Sequence, residues 1–412
     1  MSWQRSTMSL MPRVDNSWKL VAFAVVAVAW GGNEFTPMMV FYRGESTFSP
    51  VFVDSLLASY AVGIAVSLLL AGPLSDRYGR KVVMLPAPIV GLLASVLIAL
   101  GEASEPLIFA GRVLSGISIG MAMTAGGSWI KELSTPAFDS SVQEGSGAKR
   151  STMSMTGGFA LGALIAGLLA EWGPHPGQIP YVVHALVSVA AVIGMLTVPE
   201  TRQSAHLRVK GSFWSDLRIP SVKNPRFLLA VIPAAPWVFG CAGVSYAIMP
   251  SLVQDDVSFP IAFSAIVTAV ALMLGFTIQQ FNHLLDNAYS AKGQQVGLVL
   301  TIVGMTLATW TATDVVMWKV VLSSLILGLG FGMCMVSCLG EVQHIAGPND
   351  LGGLTAVYYA VTYIGFFFPM ILTRLNEWFT YPMMLGFGAV MAVISLVVVT
   401  VFSRRFLPAP SA

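Results

Sequence analysis

A chain of 412 residues has room for two or three soluble domains, but 55% of this one is hydrophobic and only 10% is charged, against roughly 25% charged in an ordinary globular protein. So little charge leaves a soluble surface uncovered, and a mean hydropathy of +0.75 points to lipid as the surrounding medium. The 22 basic and 20 acidic residues give a net charge of +2, which excludes the basic balance of a nucleic-acid binder.

The predicted elements are membrane helices, each needing about 20 apolar residues to cross a bilayer. Twelve such stretches occur, at 18–42, 52–74, 82–100, 107–130, 151–172, 181–198, 228–250, 260–280, 296–313, 315–338, 353–372 and 381–402. The first is too long for the core of a secretory signal and has no small-residue cleavage site after it. It carries Asn33 and Glu34 between Gly31-Gly32 and Thr36-Pro37, a pattern that predicts a distorted helix around an intramembrane carboxyl. Ionisable groups inside spans are costly and mark ion or substrate pathways, so Glu34 is the leading candidate to carry a proton. Asn33 and Asp54 are further candidates for proton coupling or substrate contact, although Asp54 opens the second span at the outer surface and reads as solvated.

The fourth span holds Arg112, at a depth comparable to Glu34. A guanidinium there needs an acidic or carbonyl partner, and Glu34 is the predicted counter-charge. His184, near the start of the sixth span, is a candidate relay, although a lone histidine near the interface more often serves structure. Met38 in the first span, Tyr246 and Met249 in the seventh, and Tyr358, Tyr359, Tyr363 and Phe367 in the eleventh are candidate cavity residues. Apolar and aromatic walls of this kind suit amphipathic organic substrates. Cys334 and Cys338, one helical turn apart, and Cys241 read as packing. No phosphate-binding Gly-Lys-Ser/Thr loop, Ser/His/Asp cluster or metal-ligand spacing is evident, so neither an enzyme nor a cofactor or metal is expected.

Basic residues favour the cytoplasmic side of a membrane. With both termini inside, eighteen lysines and arginines fall on that side and only Arg43, Lys319 and Arg374 fall outside. The longest loop divides the spans six and six, and two acidic residues recur at nearly one offset: Asp76 with Asp286, Glu132 with Glu341. This suggests a duplicated six-helix unit, with a substrate site between the halves.

After the second span the chain reads Gly72-Pro73-Leu74-Ser75-Asp76-Arg77-Tyr78-Gly79-Arg80-Lys81. This resembles the signature loop of the major facilitator superfamily, G-x-L-a-D-r-x-G-r-[RK]. Arg112, Gly116 and Gly120 resemble its R-x-x-x-G-x-x-x-G element, Pro199-Glu200-Thr201-Arg202 its Pro-Glu-x-x-Arg segment, and Glu132 with Pro136 the acidic end of its fourth helix. The resemblance implies an all-α membrane fold of two six-helix bundles related by a pseudo-two-fold, at 1–199 and 227–412, joined by a cytoplasmic loop at 200–226.

It further implies a secondary transporter working by alternating access, similar to twelve-helix drug/proton antiporters. Its partners would be a small molecule, protons and the lipid bilayer, and it would act as a monomer in the cytoplasmic membrane. The cytoplasmic gate implied comprises Gly72, Asp76, Arg77, Gly79, Arg80, Glu132 and Glu200, with Asp286 and Glu341 from the second half. Asp76 is expected on the start of the eleventh helix, at Gly352-Gly353-Leu354-Thr355, where a carboxylate is favoured. Arg77 and Arg80 are expected to pair with Glu132 or Glu200. One departure stands out: Ala163 occupies the place of the proline in the antiporter fifth-helix pattern, while Gly158, Gly162 and Gly167 keep the close-packing surface. Efflux is the leading expectation, import of a small metabolite the alternative, and a non-transporting sensor or scaffold the reading from another class.

Overall fold

The computed structural model describes residues 16–140, 142–143, 145–202, 219–285, 290–346 and 351–406. Twelve helices are long and apolar enough to cross a membrane. They are α1 (Ser17–Glu45), α2 (Pro50–Tyr78), α3 (Arg80–Leu100), α4 (Glu105–Leu133), α5 (Ser146–Trp172), α6 (Ile179–Leu196), α7 (Phe227–Ser251), α8 (Pro260–Leu284), α9 (Lys292–Thr313), α10 (Met317–Ile345), α11 (Leu351–Leu375) and α12 (Tyr381–Ser403). All twelve stretches expected from hydropathy are present. Several run past the apolar run into polar sequence, because a 29-residue helix is about 43 Å long and the hydrocarbon core only about 30 Å thick.

Burial sorts the helices in the same way in each half. α1 and α7 are the most enclosed, while α6 and α12 are the least, with residues such as Leu186, Ile193, Phe387 and Val401 turned outward. The outward faces are apolar because lipid, not water, is their solvent.

Close helix contacts repeat between the halves. In the first, a Cβ added at Gly116 would lie 2.1 Å from the Tyr60 carbonyl oxygen of α2, and one added at Gly162 would lie 2.4 Å from the Trp30 carbonyl oxygen of α1. In the second, a Cβ on Gly332 would lie 2.0 Å from the Gly275 carbonyl oxygen of α8, and one on Gly365 2.1 Å from the Gly240 nitrogen of α7. The α4–α2 and α5–α1 contacts thus reappear as α10–α8 and α11–α7. Gly116 and Gly162 of the fourth- and fifth-helix patterns are therefore backbone-to-backbone contact points, while Gly120 and Gly167 lie against the Ser67 and Ala265 side chains.

The halves meet where α2 packs on α11 and where α5 and the second part of α1 pack on α8. α1 is interrupted at Glu34, between segments Ser17–Asn33 and Phe35–Glu45. Pro37 has no N–H to offer the Asn33 carbonyl, which accounts for the break. At the corresponding place α7 makes one wide π turn, Val244–Ile248.

Candidate functional site

Four groups of residues carry the chemistry. The first surrounds Glu34, which is 0% exposed. Its Oε1 accepts a hydrogen bond from Ser95 Oγ of α3 at 2.9 Å and lies 3.6 Å from His184 Nδ1 of α6. Oε2 has no partner. Ser95 Oγ is also 2.6 Å from His184 Nδ1, and His184 Nε2 is 3.0 Å from the Ala27 carbonyl oxygen and 3.2 Å from Ser188 Oγ. The backbone of Gly31 makes room for the imidazole, since a Cβ there would lie 2.4 Å from His184 Cε1. Asn33 ties the broken helix to α5, with Nδ2 donating to the Phe159 carbonyl at 3.0 Å and Oδ1 accepting from Thr36 at 2.6 Å.

Two expectations change here. His184 is fully buried inside the first bundle and not at an interface, because α6 turns its polar residues inward and its Leu, Val and Ile outward. Arg112 is also buried, yet it forms no ion pair with Glu34 among the described residues. Its guanidinium stacks between Phe35 and Tyr60, at 4.6 and 4.4 Å from the ring centroids, and Nε donates to the Leu56 carbonyl at 3.3 Å. Cation–π contact and a carbonyl supply what a carboxylate was expected to supply. Arg112 Nη1 is left without a hydrogen-bond partner.

The second group is the signature loop. Gly79 adopts φ 109°, and a Cβ on it would lie 2.5 Å from Glu200 Oε2. Glu200 accepts from the backbone N–H groups of Arg80 and Lys81 at 3.1 and 2.8 Å, so it caps the start of α3, and of the two carboxylates expected for Arg80 it is Glu132 that pairs with the side chain. Arg80 bridges Asp76 and Glu132, both at 2.9 Å. Arg202 donates to Asp76 at 3.0 Å, and Thr201 donates to Glu132. Among the described residues these contacts join α2, α3, α4 and the chain after α6. Asp76 makes no hydrogen bond to Gly352, Gly353 or Thr355 among the described residues, contrary to expectation, because Arg80 and Arg202 already hold it. Gly72 faces open space, and Arg77 lies in the same helix end. In the second half Glu341 pairs with Arg226. Asp286 lies outside the described residues.

The third group lies at the other face, and of its members the sequence offered only Asp54 as a candidate. Asp54 was expected in solvent and is 0% exposed. It forms an ion pair with Arg43 and accepts a hydrogen bond from Thr373 of α11 at 2.5 Å. Arg43 also donates to the Ala247 carbonyl of α7 at 3.0 Å. Beside this cluster, Glu171 at the end of α5 accepts from the Ile261 and Ala262 N–H groups at the start of α8, at 2.8 and 2.9 Å. A carboxylate at a helix N-terminus is a favourable pairing. These contacts join one half to the other. Lys319, expected in an outer loop, is buried against Asp314 and the Trp310 ring.

The fourth group is aromatic. Phe239 of α7 stacks on Tyr363 at 4.2 Å and lies 4.6 Å from Phe366, which in turn is 6.2 Å from Tyr60 of α2. The Tyr363 hydroxyl reaches Met123 Sδ of α4 at 3.8 Å. Tyr363 and Phe367 belong to a tight 3₁₀ turn of α11 that ends at Pro369. Tyr358 is tied down by a 2.9 Å bond from its hydroxyl to the Met335 carbonyl and packs on Tyr359, so its contacts are internal to the second half. Met38 and Met249 are fully buried, and Tyr246 is buried with its hydroxyl unpartnered. Phe366 belongs to the aromatic run of the eleventh span, whereas Phe239 and Tyr60 were missed because isolated aromatics in apolar spans carry no positional signal.

Comparison with known proteins agrees with this architecture. The profile of the Major Facilitator Superfamily matches residues 20–370. A chloramphenicol resistance protein of Pseudomonas aeruginosa is 25% identical over 344 residues, 80% of this chain and 77% of its own length. Multidrug resistance protein MdtL of Shigella flexneri is 43% identical over 61 residues, only 15% of either chain. A crystal structure of a D-xylose-proton symporter superposes with a TM-score of 0.71 over 95% of this chain and 97% of that one, at 16% identity, which is a likeness of fold. Twelve membrane helices in two repeated bundles, the signature loop and a profile match over most of the sequence lead to one assignment: the chain is a non-enzymatic, multi-pass membrane protein, a secondary transporter belonging to the major facilitator superfamily.

Proposed function

We propose that this transporter exports small amphipathic organic compounds in exchange for protons, with Glu34 as the group that carries the proton. The observation that carries the reading is a carboxyl sealed inside the first bundle, on a broken helix, with one oxygen unpartnered and an imidazole 3.6 Å from the other. Such a group holds a proton at low energetic cost and a negative charge only with compensation. The aromatic contacts among Phe239, Tyr363, Phe366 and Tyr60 support an apolar substrate, and the names of the two drug-resistance relatives support export.

In this reading the halves, 1–199 and 227–412, rock about a site between them while residues 200–226 link them on the cytoplasmic side. Both termini lie in the cytoplasm, the membrane is the cytoplasmic one, and one chain suffices. The signature loop acts as the inner latch, with Asp76 trading its arginines for the start of α11 when the inner side closes. Arg112 holds the ground between Glu34 and the aromatic site through Phe35 and Tyr60. Ala163, in place of the antiporter proline, favours proton-coupled import as the second reading.

The test is flux in reconstituted vesicles with an imposed pH gradient, using ethidium, tetraphenylphosphonium and chloramphenicol as probes. Export predicts accumulation against the probe gradient on the acidic side, and import the reverse. Glu34→Gln should lose gradient-driven accumulation and its pH dependence while keeping probe exchange at equilibrium, because an amide does not cycle a proton. Wild-type accumulation and pH dependence in Glu34→Gln would remove Glu34 from the coupling.

A further inference from the structure

The contacts around His184 count protons. The Ala27 carbonyl is an acceptor only, so its 3.0 Å contact requires a proton on Nε2. Ser95 has a single hydroxyl proton and meets two acceptors, Glu34 Oε1 at 2.9 Å and His184 Nδ1 at 2.6 Å. If Ser95 donates to Nδ1, the Glu34 contact needs a proton on the carboxyl, which then donates to Ser95 Oγ. If Ser95 donates to the carboxylate, the Nδ1 contact needs a proton on the ring, which then donates to Ser95 Oγ. Both arrangements hold one proton more than a carboxylate beside a neutral imidazole, both have zero net charge, and they interconvert when the Ser95 hydroxyl passes one proton on as it takes up another.

We propose that Glu34, Ser95 and His184 form a relay that holds one proton in common, with His184 as a second proton-bearing group and Ser95 as the positioning residue between them. The proposal deepens the proton-coupled reading and rests on it for its place in the transport cycle. All three side chains are buried to 1% exposure or less, and they come from α1, α3 and α6, so the relay spans three helices of one bundle. Removing the shared proton leaves one close contact without a hydrogen. The single alternative places the ring proton on Nδ1 and lets Ser188 donate to Nε2 at 3.2 Å, which sets the Nε2 lone pair against the Ala27 carbonyl. Loss of the proton therefore works against the hydrogen bond that ties α6 to α1.

The other charged or titratable side chains acting on the relay are Arg112 of α4, Tyr42 of α1 and Tyr181 of α6, with Tyr60 of α2 acting on Arg112 and Glu102 beyond α3 on Tyr42. Tyr42 and Tyr181 bond to each other at 3.4 Å, and none of the five bonds to His184. They bias both proton arrangements without replacing either.

The experiment is a pH titration followed by infrared difference spectroscopy, on the full chain in lipid nanodiscs with ring-labelled histidine and no transported compound. The protonated-carboxyl band that disappears in Glu34→Gln should change over the same pH range as the ring bands that disappear in His184→Gln. Ser95→Ala and His184→Gln attack the relay from different helices, and each should move the carboxyl midpoint by at least about one pH unit, as expected of sites that share a proton. An unmoved midpoint in both variants, with native amide bands, overturns the relay. The two readings fail separately: a shared titration without proton-driven flux removes the transport reading alone, and proton-driven flux with independent titrations removes the relay alone.

Discussion

Thr373→Val isolates the polar tie between the halves at the face opposite the signature loop. The substitution keeps the shape of the side chain and removes the hydroxyl that donates to Asp54 at 2.5 Å, while the Arg43–Asp54 ion pair stays within its own half. A hydrogen bond to a charged group contributes about 1.5–3 kcal/mol, and every 1.4 kcal/mol is about tenfold in an equilibrium. The balance between the state described here and one with this face parted should therefore shift by about 10- to 150-fold toward parting. Spin labels at the exposed positions Thr47 and Thr380, on either side of the seam, would report the shift as a longer component in the distance distribution measured in nanodiscs. Thr373→Ser keeps the donor and should behave as wild type. An unchanged distribution together with unchanged probe flux in Thr373→Val would refute the claim that this contact holds the face closed.

Gly79→Val should leave an inserted protein without transport, because it puts a β-branched residue at φ 109° and drives its Cβ into Glu200; backbone strain of this kind costs about 1–3 kcal/mol. Asp76→Asn should give the same loss of flux through the charge alone, and normal turnover in either inserted variant would reduce the loop to a topology signal. Gly31→Ala places a methyl 2.4 Å from the His184 ring, and overpacking costs about 1–3 kcal/mol. It should lower the unfolding midpoint and damp the pH dependence of flux, whereas a wild-type melting curve and pH profile would show that the ring has room to move.

The sequence carried the membrane helices because their signal is local: an apolar run long enough to cross lipid needs no knowledge of its neighbours. The break at Glu34 was legible for the same reason, since Gly31, Gly32 and Pro37 act on their own helix. What failed were statements about partners. Asp54 sits within a turn of the start of α2 and looked solvated, but its hydrogen-bond donor Thr373 lies 319 residues away and arrives through the packing of α11 on α2. Glu34 and Arg112 lie at similar depth, which suggested a pair. Depth does not fix rotation about the helix axis, and Glu34 turns toward α3 and α6 while Arg112 turns toward Phe35 and Tyr60. Ser95 was invisible altogether, because a serine in a transmembrane helix ordinarily satisfies its hydroxyl on its own backbone. The glycines of α4 and α5 were easier to read, since a small residue repeated at helical spacing has few other uses.

In the proposed rocking of the halves, the arrangement of charges lets the buried clamp open without stranding an ion. Separating a buried pair by removing one partner costs about 3–5 kcal/mol, too much for a step repeated in every cycle. Here Arg43 and Asp54 belong to α1 and α2 of the same half, so they travel together when the halves part. What breaks is the Thr373 hydroxyl contact and the Ala247 carbonyl contact, each a single hydrogen bond to a charge that keeps its counter-charge. Glu171 follows the same logic in that motion: at the end of its helix, water would replace the two backbone N–H groups of α8 that it now accepts from. At the signature-loop face the ion pairs of Arg80 and Arg202 lie within the first half among the described residues, and Asp76, with its side chain 54% exposed, is the most accessible acidic member. An exchange of Arg202 for another partner there swaps one wet contact for another. In that proposed motion the Arg43–Asp54 and Arg80–Glu132 pairs stay within one half, and the Thr373 and Ala247 contacts are ones that water can replace.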